Sequence, residues 1–235
     1  MIITAQPSDT NTLPMQPDAI GRLALYTKDS QRDFAESDMV QLLSNTALTE
    51  RSYYQALAVW EQCWRTLELL EQLYRPQTSS VRNIPAERCK SAQLDLQSLN
   101  KHFGYTPLAS DQELSIGAAF PFWSKSSVEW YGLVYAMRVL TLQIKPIGEH
   151  LRAHFSQSVS LEHLSFFDSD KATAKPSGAD VKSWNQWLET CLTTEAEIQA
   201  SGITATEILD WFNRCLQGFE RPRARRTQSK GRNAG

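Results

Sequence analysis

The stretch Trp130-Tyr131-Gly132-Leu133-Val134-Tyr135-Ala136-Met137-Arg138-Val139-Leu140-Thr141-Leu142-Gln143-Ile144 decides how this chain is read. It lies in a sequence whose apolar pattern is helical nearly throughout. Ser126 or Ser127 is placed to cap its start, a side-chain oxygen there being able to accept from a free amide of the first turn. Pro146 falls near its end. A proline cannot donate to the carbonyl of Leu142, so a break or kink costing about 3 kcal/mol is expected there. A further helical piece, Ile147–Phe155, follows.

Outward from this stretch the same periodicity continues. Residues 19–44 carry Leu23, Leu25, Phe34, Met39, Leu42 and Leu43 at mixed helical spacing. Thr49 is a good N-cap for the next element. That element shows Tyr53, Leu57, Trp60, Trp64 and Leu67, alternating four and three residues apart, one apolar stripe for a partner helix. Pro76 stops it. Residues 77–85 are polar, and Ala86 to about Asn100 returns to helix with Leu94, Leu96 and Leu99. A loop runs through Gly104, Pro107 and Pro121. Residues 168–180 are polar, a linker or surface loop. Two helical patterns close the chain, one through Trp184, Trp187, Leu188 and Leu192, the other through Ile203, Ile208, Trp211, Phe212 and Leu216. No strand-like alternation of useful length and no repeat appears. The expected architecture is all-α, a single-domain multi-helical bundle of seven to nine helices over residues 19–218.

Composition narrows the function classes. Apolar residues are 41% and charged residues 21%, ordinary for a globular protein. No apolar run approaches the ~20 residues of a membrane span, so no membrane is expected as a partner. Residues 1–18 have neither a basic n-region nor an apolar block, which reads as a disordered leader and not a secretory signal. Cys63, Cys89, Cys191 and Cys215 are far apart without a C-x-x-C pair, so disulfide and zinc readings fail on spacing. Reduced, buried or half-buried thiols in the cytoplasm are expected. Net charge is −2, but residues 221–235 carry six basic side chains and no acid, leaving 18 basic against 26 acidic residues, −8, elsewhere. Residues 219–235 thus read as a basic disordered tail. No folded basic face with aromatics accompanies it, so no nucleic-acid partner is expected. Seven Trp recur at helical spacing with Leu, as core packing requires. The sharper alternative is an aromatic-lined cavity for a flat ligand.

With Gly132, Tyr135 and Leu142 in place, the opening stretch resembles the distal-helix signature of bacterial haem oxygenases, roughly G-x-x-Y-V-x-E-G-S-x-L-G-G, especially those that supply biliverdin to phytochromes. Leu25–Glu36, with Thr27, is similar to that family's proximal helix. Arg88, Leu94-Asp95-Leu96 and Leu99 resemble a later segment, as do Ile147, His150 and Leu151, then Phe166-Phe167, Trp184, Trp211 and Leu216. The resemblance implies a haem oxygenase-like bundle, with haem as cofactor and biliverdin as product.

The departures fall on the chemistry. Four residues after the threonine the family has the histidine that ligates iron; counted from Thr27, that position here is Gln31, and no histidine precedes His102. A carboxamide is a poor substitute for neutral imidazole. Val139, Gln143 and Ile144 stand where the family has glycines, which let the backbone approach a planar cofactor. Arg138 stands where the family tends to have an acid. Thr27, Gln31, Tyr135, Arg138, Val139, Gln143 and Ile144 are therefore the candidate cofactor-binding residues. No catalytic set and no metal set is assigned. His150 and His154 have metal-competent i, i+4 spacing, but the H-E-x-x-H order is absent.

Three main readings follow, with a thiaminase-type relative sharing the fold ranked after them because its acid, cysteine and tyrosine set cannot be assigned here. The first is a pseudoenzyme keeping a pocket for a tetrapyrrole or other flat apolar ligand without the axial histidine. The second is an active biliverdin-producing enzyme with another iron ligand. The third is a helical interaction module, with a protein partner, whose core is filled.

Overall fold

The computed structural model describes residues 18–76, 84–104, 126–156, 164–167 and 178–217. The expected leader (save Asp18), the basic tail and most of the loops at 77–85, 105–125 and 168–180 lie outside the described residues. Within them the chain is all-helical, with eight α-helices and no strand.

Residues 19–44 form three short helices where one mixed pattern was read: α1 (Ala19–Tyr26), α2 (Lys28–Glu36) and α3 (Asp38–Leu43). Local capping sets the starts of α1 and α3, while no side-chain cap forms at the start of α2. Asp18 Oδ1 accepts from Gly21 N at 2.7 Å to start α1, and Ser37, in extended backbone, caps α3 through Val40 N. At Thr27, between α1 and α2, the side chain donates to the Leu23 carbonyl at 2.9 Å.

The helix α4 (Glu50–Tyr74) begins at Thr49, whose hydroxyl accepts from Ser52 N at 3.1 Å. All five residues of its expected stripe, Tyr53 through Leu67, are fully buried. The helix α5 (Ile84–Phe103) packs along α4. Next, α6 (Ser127–His154) starts on Ser126, with Glu129 completing a capping box. The helices α7 (Gly178–Cys191) and α8 (Glu195–Gln217) follow, and α8 lies along α6.

The break expected at Pro146 does not occur: α6 runs through it to His154, so Ile147–Phe155 is no separate piece. Leu142 is 54% exposed and Pro146 is exposed too, which puts the carbonyl that proline orphans on the side of the helix that water reaches. On the other side, Gly132 lets α6 and α8 touch. A Cβ there would lie 2.5 Å from the Ser201 carbonyl oxygen and 2.8 Å from Thr204 Cβ.

Trp60 centres the core, meeting Phe34, Phe166, Phe167 and Phe212 edge-on at 5.4–5.8 Å. Trp64 and Trp130 are buried with it, so these tryptophans pack rather than line an open space. Buried Arg88 and Asp95 on α5 hold the turn that carries Phe166 and Phe167: Arg88 Nη1 donates to the Phe166 carbonyl at 2.6 Å, and Asp95 Oδ2 accepts from its amide at 2.7 Å. No helix among the described residues is long and apolar enough to cross a membrane.

Candidate functional site: the seam between α2 and α6

The start of α2 and the middle of α6, far apart in sequence, meet along a seam. Three of the seven candidate residues bond one another there, with Tyr135 beside them. Thr27 is fully buried. Its hydroxyl accepts from Gln31 Nε2 at 2.8 Å and lies close enough to the Tyr135 hydroxyl to influence its titration. From α6, Gln143 Nε2 donates to the main-chain oxygen of Gln31 at 3.2 Å. Gln31 is half-buried, not the solvent-facing residue that a helix surface would give.

Electrostatics follow burial. The Tyr135 hydroxyl is pushed up by loss of water, only partly offset by Thr27 and the nearby Arg138 charge, so it stays protonated near neutral pH. Burial pulls the Arg138 guanidinium down. That side chain turns to α7, where Nη1 donates to Asn185 Oδ1 and the guanidinium lies 5.3 Å from the Trp184 ring centre. Val139 and Ile144 are buried members of the hydrophobic core. The structure thus joins Thr27, Gln31, Tyr135 and Gln143, sends Arg138 to α7, and puts Val139 and Ile144 in the packing.

The far face of α2 is fastened to α8. Ser30 Oγ donates to Asp210 Oδ1 at 2.6 Å, and Asn213 Nδ2 donates to the Ser30 carbonyl at 2.8 Å. Ser30, Asn185, Asp210 and Asn213 were not singled out from sequence, because short polar residues on helices carry no local signal of a distant partner.

A histidine-ligated haem does not fit this arrangement. A planar ring between two helices needs roughly 7 Å between facing atoms, two van der Waals contacts of about 3.5 Å each. The Gln143–Gln31 bond leaves 3.2 Å. The nitrogen of the Gln31 carboxamide is held by Thr27, and α1, α2 and α3 contain no histidine. The two histidines of α6 sit elsewhere: their rings are parallel at 6.0 Å, and His154 Nε2 bonds the Leu48 carbonyl at 2.8 Å. Among the described residues no group of three His, Cys, Asp or Glu is placed to hold a metal.

The seam can do modest chemistry. It offers hydroxyl and carboxamide hydrogen bonds, and one acceptor, Gln143 Oε1, is buried with no hydrogen-bond partner among the described residues. It offers no nucleophile–base pair. No protein-family model matches the chain, and no curated protein sequence matches it.

Proposed function

We propose that this chain is a pseudoenzyme on a haem oxygenase-like bundle, a helical protein that works by binding and does not cleave haem. The observation that carries this reading is the direct Gln143–Gln31 bond across the two helices between which the resembling family holds its cofactor. It supports the resemblance, because residues matched to the proximal and distal segments face each other. It also supports a seam occupied by side chains. Of the sequence readings, this pseudoenzyme therefore keeps the loss of haem cleavage from the first and takes the filled core and protein partner of the third in place of an open pocket. Exposed apolar side chains fit it: Leu25 is 65% exposed and Ile203 48%, beside Tyr26, which packs on Gly202.

The retained-pocket reading has one observation in its favour. A buried, unpartnered Gln143 Oε1 is a weak point from which the seam can open for a tetrapyrrole or other flat ligand. Titration of the purified protein with hemin separates the readings. A closed seam gives no saturable absorbance change, whereas a retained pocket gives saturable binding without a histidine-type Soret band. A sharp histidine-type band, or biliverdin formed with a reductant present, overturns the pseudoenzyme proposal in favour of an active enzyme.

A further inference from the structure

The cysteines that sequence spacing set apart are not all apart in space. Cys63 lies on α4 between Trp60 and Trp64, and Cys215 on α8 three residues after Phe212. Phe212 packs against both tryptophans, at 5.4 and 6.2 Å, which locks the two helices together at this level. The two cysteines face each other there, close enough for each thiol to shift the other's titration. Cys63 is fully buried and Cys215 half-buried, so Cys215 is the member of the pair nearer solvent and Cys63 stands behind it.

We propose that Cys63 and Cys215 are a modification site, closing to a reversible disulfide that joins α4 to α8 when a hydroperoxide oxidises Cys215. The Cys215 thiolate attacks the outer peroxide oxygen, breaking the O–O bond. The products are a sulfenic acid and an alcohol, or water from hydrogen peroxide. The Cys63 thiol then attacks the sulfenyl sulfur; the S–S bond forms, the S–O bond breaks, and water leaves with the thiol proton. Two thiols lose two electrons in total, and the peroxide gains them.

The division of roles follows from the contact. The Cys63 side chain, with the Arg214 charge adjacent, lowers the Cys215 thiol against its partial burial, while the Cys215 side chain and full burial push Cys63 up. A lowered, less buried thiol with a second thiol facing it is the arrangement that stops oxidation at the disulfide. The other cysteines lack it. Burial holds Cys89 far up, and Cys191 rests against the Tyr131 hydroxyl with no second sulfur.

The test uses the full chain, reduced, exposed to dilute hydrogen peroxide, then alkylated, digested and mapped by mass spectrometry. The expected product is a cross-linked Cys63–Cys215 peptide pair, lighter by two hydrogens, with Cys89 and Cys191 alkylated and the link lost in dithiothreitol. Sulfinic acid building up at Cys215 without the cross-link overturns the proposal, as does preferential oxidation of Cys191. In Cys63→Ala the sulfenic acid at Cys215 has no second thiol to meet and should be trapped by dimedone. A well-folded Cys63→Ala protein that leaves Cys215 unlabelled also refutes it. Should that variant fail to fold, the wild-type map alone decides.

Discussion

Replacing Gln143 with glycine tests the closed seam at small risk to the fold. The substitution deletes one hydrogen bond to the Gln31 carbonyl, worth about 0.5–1.5 kcal/mol net. It also places glycine inside α6 at about 1 kcal/mol. Against these losses it removes a buried Oε1 with no partner, whose burial costs about 1–3 kcal/mol. The terms nearly cancel, so Gln143→Gly should unfold within about 1.5 kcal/mol of wild type. Ile144→Gly is a harsher route to the same space. Ile144 is fully buried, and truncating it to alanine alone costs about 2–5 kcal/mol, with about 1 more for glycine. Urea denaturation followed by circular dichroism reads both. With the Gln143 side chain gone, hemin should associate at least tenfold more tightly than with wild type, a gain of about 1.4 kcal/mol. A stable Gln143→Gly protein with unchanged hemin association would mean that Val139 and Ile144, not the carboxamide, close the seam. A loss above about 3 kcal/mol would contradict the assignment of Oε1 as a buried, unpaired atom.

Adding Gln31→His to Gln143→Gly should give the hemin complex a histidine-type Soret band that neither substitution produces alone; a band from Gln31→His alone would show the seam already open. Gly132→Ala should destabilise by about 1–3 kcal/mol from overpacking, because its new Cβ meets an α8 backbone carbonyl that no rotamer change can move. Unchanged stability in the same urea assay would refute the close α6–α8 approach. Burial raises the Glu71 carboxyl above its ordinary range, with Arg75 at 3.0 Å only partly opposing the shift. The folded state therefore holds this proton more tightly than the unfolded chain, and stability falls as pH rises from the ordinary carboxylate value through the raised one. Glu71→Gln should flatten that decline in melting temperature; an unaltered pH profile would remove Glu71 as its source.

What was legible in the sequence was local. The Tyr53–Leu67 stripe, the Thr49 cap and the Ser126 start are set by residues within a few positions of one another, and helical spacing reports them directly. The breaks at Thr27 and Ser37 are not legible because the apolar positions of residues 19–44 continue across them, and only at Ser37 does a side chain cap the helix that follows. Pro146 misled because proline's cost depends on whether water reaches the carbonyl it orphans, a tertiary fact. Cys63 with Cys215, Arg88 with Phe166 and Arg138 with Asn185 are pairings across helices, and no periodicity encodes which helix lies alongside which.

The seam shows how the two kinds of information combine. From sequence, Gln31 and Gln143 were two separate departures from a family pattern, each removing something: an iron ligand in one case, a glycine gap in the other. Their meeting makes them a single change of physical character. An imidazole over a glycine-lined gap is useful only when a plane of atoms fills the space between. Without it, two helices this close leave backbone and side-chain polar groups that must find partners or pay the desolvation cost. Gln143 satisfies part of that need by reaching the Gln31 carbonyl, and Gln31 by turning its amide to Thr27. One atom is left over, Gln143 Oε1. A seam built only for packing would hold an apolar side chain at such a position, so this residual polarity makes the Gln143 substitution the decisive one.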